Sequence, residues 1–176
     1  VLLRGLHAES VQGDAACVDL FAPLGVKTEF TREGACLTKQ NAPISALYQR
    51  DFSATPDLAQ TLVVTCALLR RAFRFTGLAS LHIKETDRIA ALTQELQQFG
   101  VHLTSPAPGT LQYVPDAPSL QPLAGSNVPQ IHTYDDHRMA LAFAPAALVT
   151  GAVEIHHPEV ISKSYPHYWD DLRRLG

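Results

Sequence analysis

Pro56-Asp57-Leu58-Ala59-Gln60-Thr61-Leu62-Val63-Val64-Thr65-Cys66-Ala67-Leu68-Leu69 is a nearly unbroken apolar run opened by a carboxylate, and Lys84 follows Asp57 by 27 positions. The pattern recurs: Asp136 opens the run Arg138-Met139-Ala140-Leu141-Ala142-Phe143-Ala144-Pro145-Ala146-Ala147-Leu148, and Lys163 follows Asp136 by 27 positions. The two copies are offset by 79 residues. A fainter third copy lies upstream, where Gln12 stands as far from Leu24-Gly25 as Lys163 does from Leu175-Gly176. Self-similarity at a fixed period points to supersecondary units that stack to bury a shared core. Each unit here would also bring ionisable groups to one place.

A helix that is apolar around its whole circumference has to lie inside a core. Asp57 to about Arg70 and Arg138 to about Val149 are therefore expected as central helices, with Pro145 kinking the second. Asp87 to Phe99 is amphipathic: Ile89, Leu92, Leu96 and Phe99 form one stripe, while Gln94, Glu95, Gln97 and Gln98 form the other. That spacing predicts an outer helix, as does Tyr165 to Leu175 with Tyr168, Trp169, Leu172 and Leu175 inward, and as does Asp14 to Leu24. Trp169 is expected in the core. Strands are expected at Val26 to Thr31, Phe73 to Thr76, Leu81 to Ile83, Val101 to Thr104, Leu111 to Val114 and Ala152 to Ile155. Ser105 to Asn127, rich in Pro and Gly, reads as turn and loop.

With 176 residues, 46% of them hydrophobic, one compact domain is expected. A net charge of −3 argues against a nucleic-acid partner, although 14 Lys and Arg are enough to surround a small anion. Cys17, Cys36 and Cys66 are odd in number and have no CxxC spacing, so they read as buried cytosolic thiols without metal or disulfide chemistry. No apolar stretch reaches the roughly 18 residues of a membrane span, and no signal peptide is visible. A chain that opens at Val1 directly into an expected strand reads as a piece of something longer. His7, His82, His102, His132, His156, His157 and His167 show no metal-ligand spacing beyond one adjacent pair and read as surface or packed residues.

Asp57 and Asp136 begin their helices where a carboxylate is favoured as a cap. In the second copy His137 and Arg138 follow at once, and a cation in the first turn opposes the helix dipole. Lys84-Glu85-Thr86-Asp87-Arg88 repeats the theme at the start of the amphipathic helix. The pattern fits either an anion site built from helix starts and guanidinium groups or a solvated charge run with Thr86 or Asp87 as a cap. Asp57 and Glu85, two carboxylates among several cations, could serve as acid and base set apart by their surroundings.

Lys84-Glu85-Thr86-Asp87-Arg88, Tyr134-Asp135-Asp136-His137-Arg138-Met139-Ala140 and Ser162-Lys163-Ser164-Tyr165-Pro166 resemble the signature blocks of the 5-enolpyruvylshikimate-3-phosphate synthase family. Order and separation agree with that family, as do the Pro56-Asp57 helix start and Ser10-Val11-Gln12-Gly13-Asp14. The resemblance implies an α/β fold: one pseudo-threefold globule of βαβαββ-type units, with buried parallel helices and outer sheets. It further implies that residues 1–176 form the C-terminal domain of a two-domain enzyme whose N-terminal part is absent.

The implied reaction moves the enolpyruvyl group of phosphoenolpyruvate to the 5-hydroxyl of shikimate 3-phosphate and releases phosphate, without metal or cofactor, in the cytoplasm. By resemblance, Asp57 binds and deprotonates the hydroxyl and Glu85 donates the proton. Lys84 and Ser80 join Asp57 at shikimate 3-phosphate, with Ser80 standing where the family commonly has asparagine. Arg88, Arg138 and Lys163 hold phosphoenolpyruvate, and Asp136 and His137 support them. Two alternatives stand beside this: an enolpyruvyl transferase acting on a nucleotide sugar, against which the Lys84 to Arg88 block argues, and a binding module without catalysis of its own. The 176 residues alone are expected to turn over negligibly, because the other domain would supply the remaining contacts and exclude water.

Overall fold

In a computed structural model, residues 1–41, 46–116 and 128–174 are described. Where one compact body is expected, the chain groups into two units, Val1–Tyr48 and Gln49–Gly176.

The first unit opens with strand β1 (Leu2–Arg4), followed by a short helix α1 (Cys17–Phe21) flanked by 3-10 turns at Gly13–Ala16 and Ala22–Leu24. Strands β2 (Val26–Phe30) and β3 (Gly34–Lys39) complete it. The three strands form an antiparallel sheet in the order β1-β3-β2, with Leu2 opposite Cys36 and Thr28 opposite Leu37. Only glycine fits at the β2–β3 turn, since a Cβ on Gly34 would stand 2.1 Å from the Leu3 carbonyl oxygen. Leu20 and Ala35 are buried in this unit, while Leu3 and Phe30 stay exposed.

In the second unit, β4 (Tyr48–Asp51), β5 (Phe73–Thr76) and β6 (Leu111–Tyr113) make a sheet in that order. Phe73 and Phe75 alternate with exposed Arg74, so one face of β5 supplies two stacked rings to the core, 4.4 Å apart. The central helices are α2 (Ala59–Leu68), entered through a 3-10 turn at Pro56–Leu58, and α4 (His137–Phe143). Leu62, Val63, Cys66 and Ala67 on α2 and Met139, Ala140 and Phe143 on α4 are all buried, as an all-round apolar surface requires. The two helices pack together. Gln60 and Met139, one repeat period apart, touch side chain to side chain at 3.2 Å. The internal repeat is thus a packing relation as well as a sequence one.

Pro145 does interrupt the second apolar run: a 3-10 turn at Ala144–Ala146 separates α4 from α5 (Ala147–Thr150). Past that break the run leaves the core, and Leu148 and Val149 are exposed. Helix α3 (Arg88–Leu96) carries the expected inward stripe of Ile89, Leu92 and Leu96, extended by Phe99. Glu95 departs from the expected polar stripe. It is buried, because it lies two turns beyond Arg88 on the same face, where hydrogen-bond donors meet it. A parallel pair, β7 (Gln130–Ile131) with β8 (Glu154–Ile155), and helix α6 (Tyr168–Arg174) complete the unit.

Several other expectations are corrected. Leu81 to Ile83 is part of a 3-10 turn, Ala79–Ile83, in which only Leu81 is buried. Val101 to Thr104 forms no strand, merely one bridge between Thr104 and Gln112. Trp169 is half-buried, with its indole N–H donated to the Pro158 carbonyl at 3.0 Å, rather than in the core. Of the three free thiols only Cys66 is buried, and burial pushes it up to about 12. Leu175 and the 117–127 part of the expected loop lie outside the described residues. Among the described residues, no helix is long and apolar enough to cross a membrane.

Candidate active site

The two central helices present their starts to the block that opens α3, and all the charges involved belong to the second unit. Asp136 caps α4, its Oδ1 accepting from the Arg138 backbone N–H at 2.8 Å. Asp87 caps α3 through the Ala90 N–H at 3.0 Å, so the charge-run reading is right about that residue. Asp57 lies in the turn ahead of α2, and its carboxylate is turned to side-chain cations.

Arg88 is the hub. Its side chain is 1% exposed and lies among three carboxylates. Nε donates to Asp136 Oδ2 at 2.6 Å, one terminal nitrogen to Asp57 Oδ1 at 2.9 Å, and the other to Glu85 Oε2 at 2.8 Å and Asp136 Oδ1 at 3.3 Å. A planar fork with several donors is what allows one side chain to hold groups from three separate segments. Lys84 Nζ adds a contact to Asp57 Oδ1 at 3.2 Å. Arg138 donates to the Asp57 backbone carbonyl at 3.0 Å, with its guanidinium 3.8 Å from Asp57 Oδ2. Residues from three sequence blocks thus share one cluster.

Crowding of this kind sets the electrostatics. Burial pushes the Asp57 carboxyl up, but the Lys84 hydrogen bond and the charges of Arg138, Lys84 and Arg88 outweigh it, leaving the group below its ordinary value and ionised at neutral pH. For Arg88, burial opposes its charge, and Asp136, Glu85 and Asp57 more than restore it. His137 is held below its ordinary value by burial, against the pull of Asp136, so it is neutral near pH 7. Its Nδ1 stands 3.8 Å from Asp136 Oδ1.

The structure therefore brings Asp57, Lys84, Glu85, Arg88, Asp136 and Arg138 together, with His137 at the edge. Lys163 is exposed, and its charge acts on His137 without an ion pair among the described residues. Ser80 lies half-buried in the Ala79–Ile83 turn, and no hydrogen bond among the described residues joins it to the cluster. Arg88 differs from an open anion binder, since its donors are already spent on carboxylates. Lys84 and Arg138, with side chains 31% and 30% exposed, are the more accessible cations. Among the described residues, no group of three or more His, Cys, Asp or Glu is placed to hold a metal.

Sequence reasoning missed Glu95, whose carboxylate accepts from the Tyr134 hydroxyl at 2.6 Å. The signal was the spacing of Arg88 and Glu95, which puts both on one helix face.

Chemically, the cluster offers two half-exposed carboxylates, Asp57 and Glu85, on neighbouring nitrogens of one guanidinium, with further cations alongside. Such an arrangement can hold an anionic molecule while one acid group gives a proton and another takes one. The family model for EPSP synthase (3-phosphoshikimate 1-carboxyvinyltransferase) matches residues 1–172. The chain is 49% identical, over 99% of its length, to 3-phosphoshikimate 1-carboxyvinyltransferase of Bacteroides fragilis, and 36% identical over 97% to that of Cellvibrio japonicus. It spans 41% and 38% of those relatives. EPSP synthase of Acinetobacter baumannii superposes over 100% of this chain and 41% of its own, with a TM-score of 0.73 at 20% identity, which establishes the shared fold. The α/β architecture, the arginine-centred carboxylate cluster and the match over nearly every residue lead to one assignment: the chain belongs to the EPSP synthase family.

Proposed function

We propose that this chain supplies one wall of an active site that transfers the enolpyruvyl group of phosphoenolpyruvate to the 5-hydroxyl of shikimate 3-phosphate. The observation that carries the reading is Arg88 holding Asp57 and Glu85 at 2.9 and 2.8 Å, which sets a candidate base and a candidate acid side by side. Asp57, ionised at neutral pH, takes the hydroxyl proton as that oxygen bonds to C2 of phosphoenolpyruvate, and Glu85 gives a proton to the C3 methylene. Phosphate then leaves the tetrahedral adduct with the proton held by Asp57, while a methyl proton returns to Glu85, which restores the double bond and both carboxyl groups. Arg138 and Lys163 hold the phosphoenolpyruvate anion, and Arg88 reaches it when Asp57 or Glu85 yields part of its guanidinium. Lys84 and Ser80 face shikimate 3-phosphate. Placement as the C-terminal domain of a longer cytoplasmic enzyme belongs to the same reading; the chain spans 41% of its Bacteroides fragilis relative, which leaves room for a further domain.

The half-exposed state of Asp57 and Glu85 favours a second reading for the isolated chain, namely weak binding without turnover, because water reaches both carboxylates. Mixing residues 1–176 with the remainder of the protein and following phosphate release from phosphoenolpyruvate plus shikimate 3-phosphate separates the two. Activity in the mixture well above that of either piece is expected. A mixture no more active than its parts, beside an inactive full-length protein, rules the transferase reading out.

A further inference from the structure

Glu95 is a buried carboxylate, 1% exposed, that the proposed chemistry leaves unused. Its acceptors are met by neutral donors: the Tyr134 hydroxyl at 2.6 Å on one oxygen, the Gln98 amide at 2.9 Å and the His132 backbone N–H at 3.2 Å on the other. Gln98 in turn clasps Gln130 from both sides, donating to its carbonyl at 2.7 Å and accepting from its N–H at 2.9 Å. On the opposite edge, the carbonyls of Pro129 and Ile131 accept from Glu154 and His156, each at 2.9 Å. Side chains from the end of α3 and from the 3-10 turn that follows it, Gln97–Phe99, thus stand in for a missing strand along the free edge of β7.

The turn between β7 and α4 makes that clasp consequential. Tyr134 and Asp135 are consecutive left-handed residues, at φ 53° and 57°, a conformation L side chains rarely adopt. They turn the chain directly into Asp136, which caps α4 and receives Arg88. Helix α3 is therefore fastened to this segment twice, by Arg88 on Asp136 at its start and by Glu95 on Tyr134 two turns later. Burial, with the Glu95 bond and charge, raises the Tyr134 hydroxyl above its ordinary range, so it remains a donor at any physiological pH.

We propose that Glu95 is a positioning residue for the reaction proposed above: through Tyr134 and Gln98 it holds the 130–136 segment in register with α3, so that Asp136 and Arg138 meet Arg88 and Asp57. The inference rests on that functional reading only for its kinetic consequence, since the register it sets is observable without substrate. The test uses the full-length protein, its Tyr134→Phe variant, which keeps the ring and removes the hydroxyl, and its Glu95→Gln variant. Hydrogen exchange at the Arg88 Nε–H, followed by NMR, reports how firmly Asp136 grips that nitrogen. Loss of one hydrogen bond to a charged group predicts exchange faster by roughly tenfold in each variant, with backbone amides of α2 such as Leu62 unchanged. The KM for phosphoenolpyruvate should rise by a similar factor, with a smaller change in kcat.

Unchanged Arg88 exchange, or α2 amides accelerating by the same factor through general loosening, would overturn the proposal. A wild-type protein that turns over neither substrate would overturn the assigned reaction, while the exchange comparison still decides the role of Glu95.

Discussion

Replacing Arg88 by methionine lowers the stability of the second unit by about 3–5 kcal/mol, the usual cost of removing one partner from a buried ion pair. The loss concentrates at Asp136. That carboxylate is fully buried and would keep the Arg138 backbone N–H but no counter-charge contact at 2.6 Å. Asp57 and Glu85, with side chains 41% and 42% exposed, turn toward water and suffer less. The double variant Arg88→Met with Asp136→Asn recovers much of the deficit, because no uncompensated charge is left inside. Arg88→Lys does not, since a single ammonium cannot serve three carboxylates from separate segments. Urea denaturation of the four proteins measures this; equal midpoints for the wild type and Arg88→Met would show that the cluster contributes nothing to holding the helix starts together.

Glu85→Gln and Asp57→Asn in the full-length protein each reduce kcat by about 10²–10⁴-fold, the range expected when a positioned acid or base is lost. Their binding signatures differ. Gln at position 85 keeps the shape and one acceptor for Arg88, so the KM for both substrates changes little. Asn at position 57 removes a charge that Lys84, Arg88 and Arg138 all face, leaving surplus positive charge in the cluster. Phosphoenolpyruvate, an anion, then binds as well or better while turnover falls. Steady-state kinetics with each substrate varied in turn checks the pair; a kcat within threefold of wild type in both variants would remove them from acid-base roles.

Much of the fold is legible in the sequence, and the reasons are local. An apolar surface on every side leaves a helix nowhere to go but the interior, so α2 and α4 follow from composition alone. Asp87 and Asp136 cap their helices because Asp accepts well from the free N–H groups of a helix start, whereas Asp57, expected to do the same, makes no cap hydrogen bond among the described residues and gives its carboxylate to Lys84 and Arg88. Strand assignment fails where it depends on partners. The short apolar runs at Leu81–Ile83 and Val101–Thr104 resemble strands, yet the first closes into a 3-10 turn, and the second pairs at one residue. β3 and β4 escape recognition because Gly34–Lys39 and Tyr48–Asp51 mix polar and small residues with no clear alternation. Spacing singles out Asp57, Lys84, Glu85, Arg88, Asp136 and Arg138, which the structure gathers into one cluster, whereas Lys163 and Ser80, singled out with them, make no ion pair or hydrogen bond to it among the described residues. The depth of Arg88 is not readable in this way, and for Glu95 the spacing from Arg88 gives only the shared helix face, since the groups that bury both arrive from distant parts of the chain.

The most direct measurement is a crystal structure of the full-length protein with shikimate 3-phosphate and phosphoenolpyruvate bound together under conditions that slow turnover. The phosphoenolpyruvate carboxylate or phosphate is expected on the Arg138 guanidinium, the 5-hydroxyl within hydrogen-bonding reach of Asp57, and Glu85 facing the methylene carbon. Both ligands seated away from Asp57, Glu85 and Arg138, with the carboxylates still closed on Arg88, would contradict that expectation.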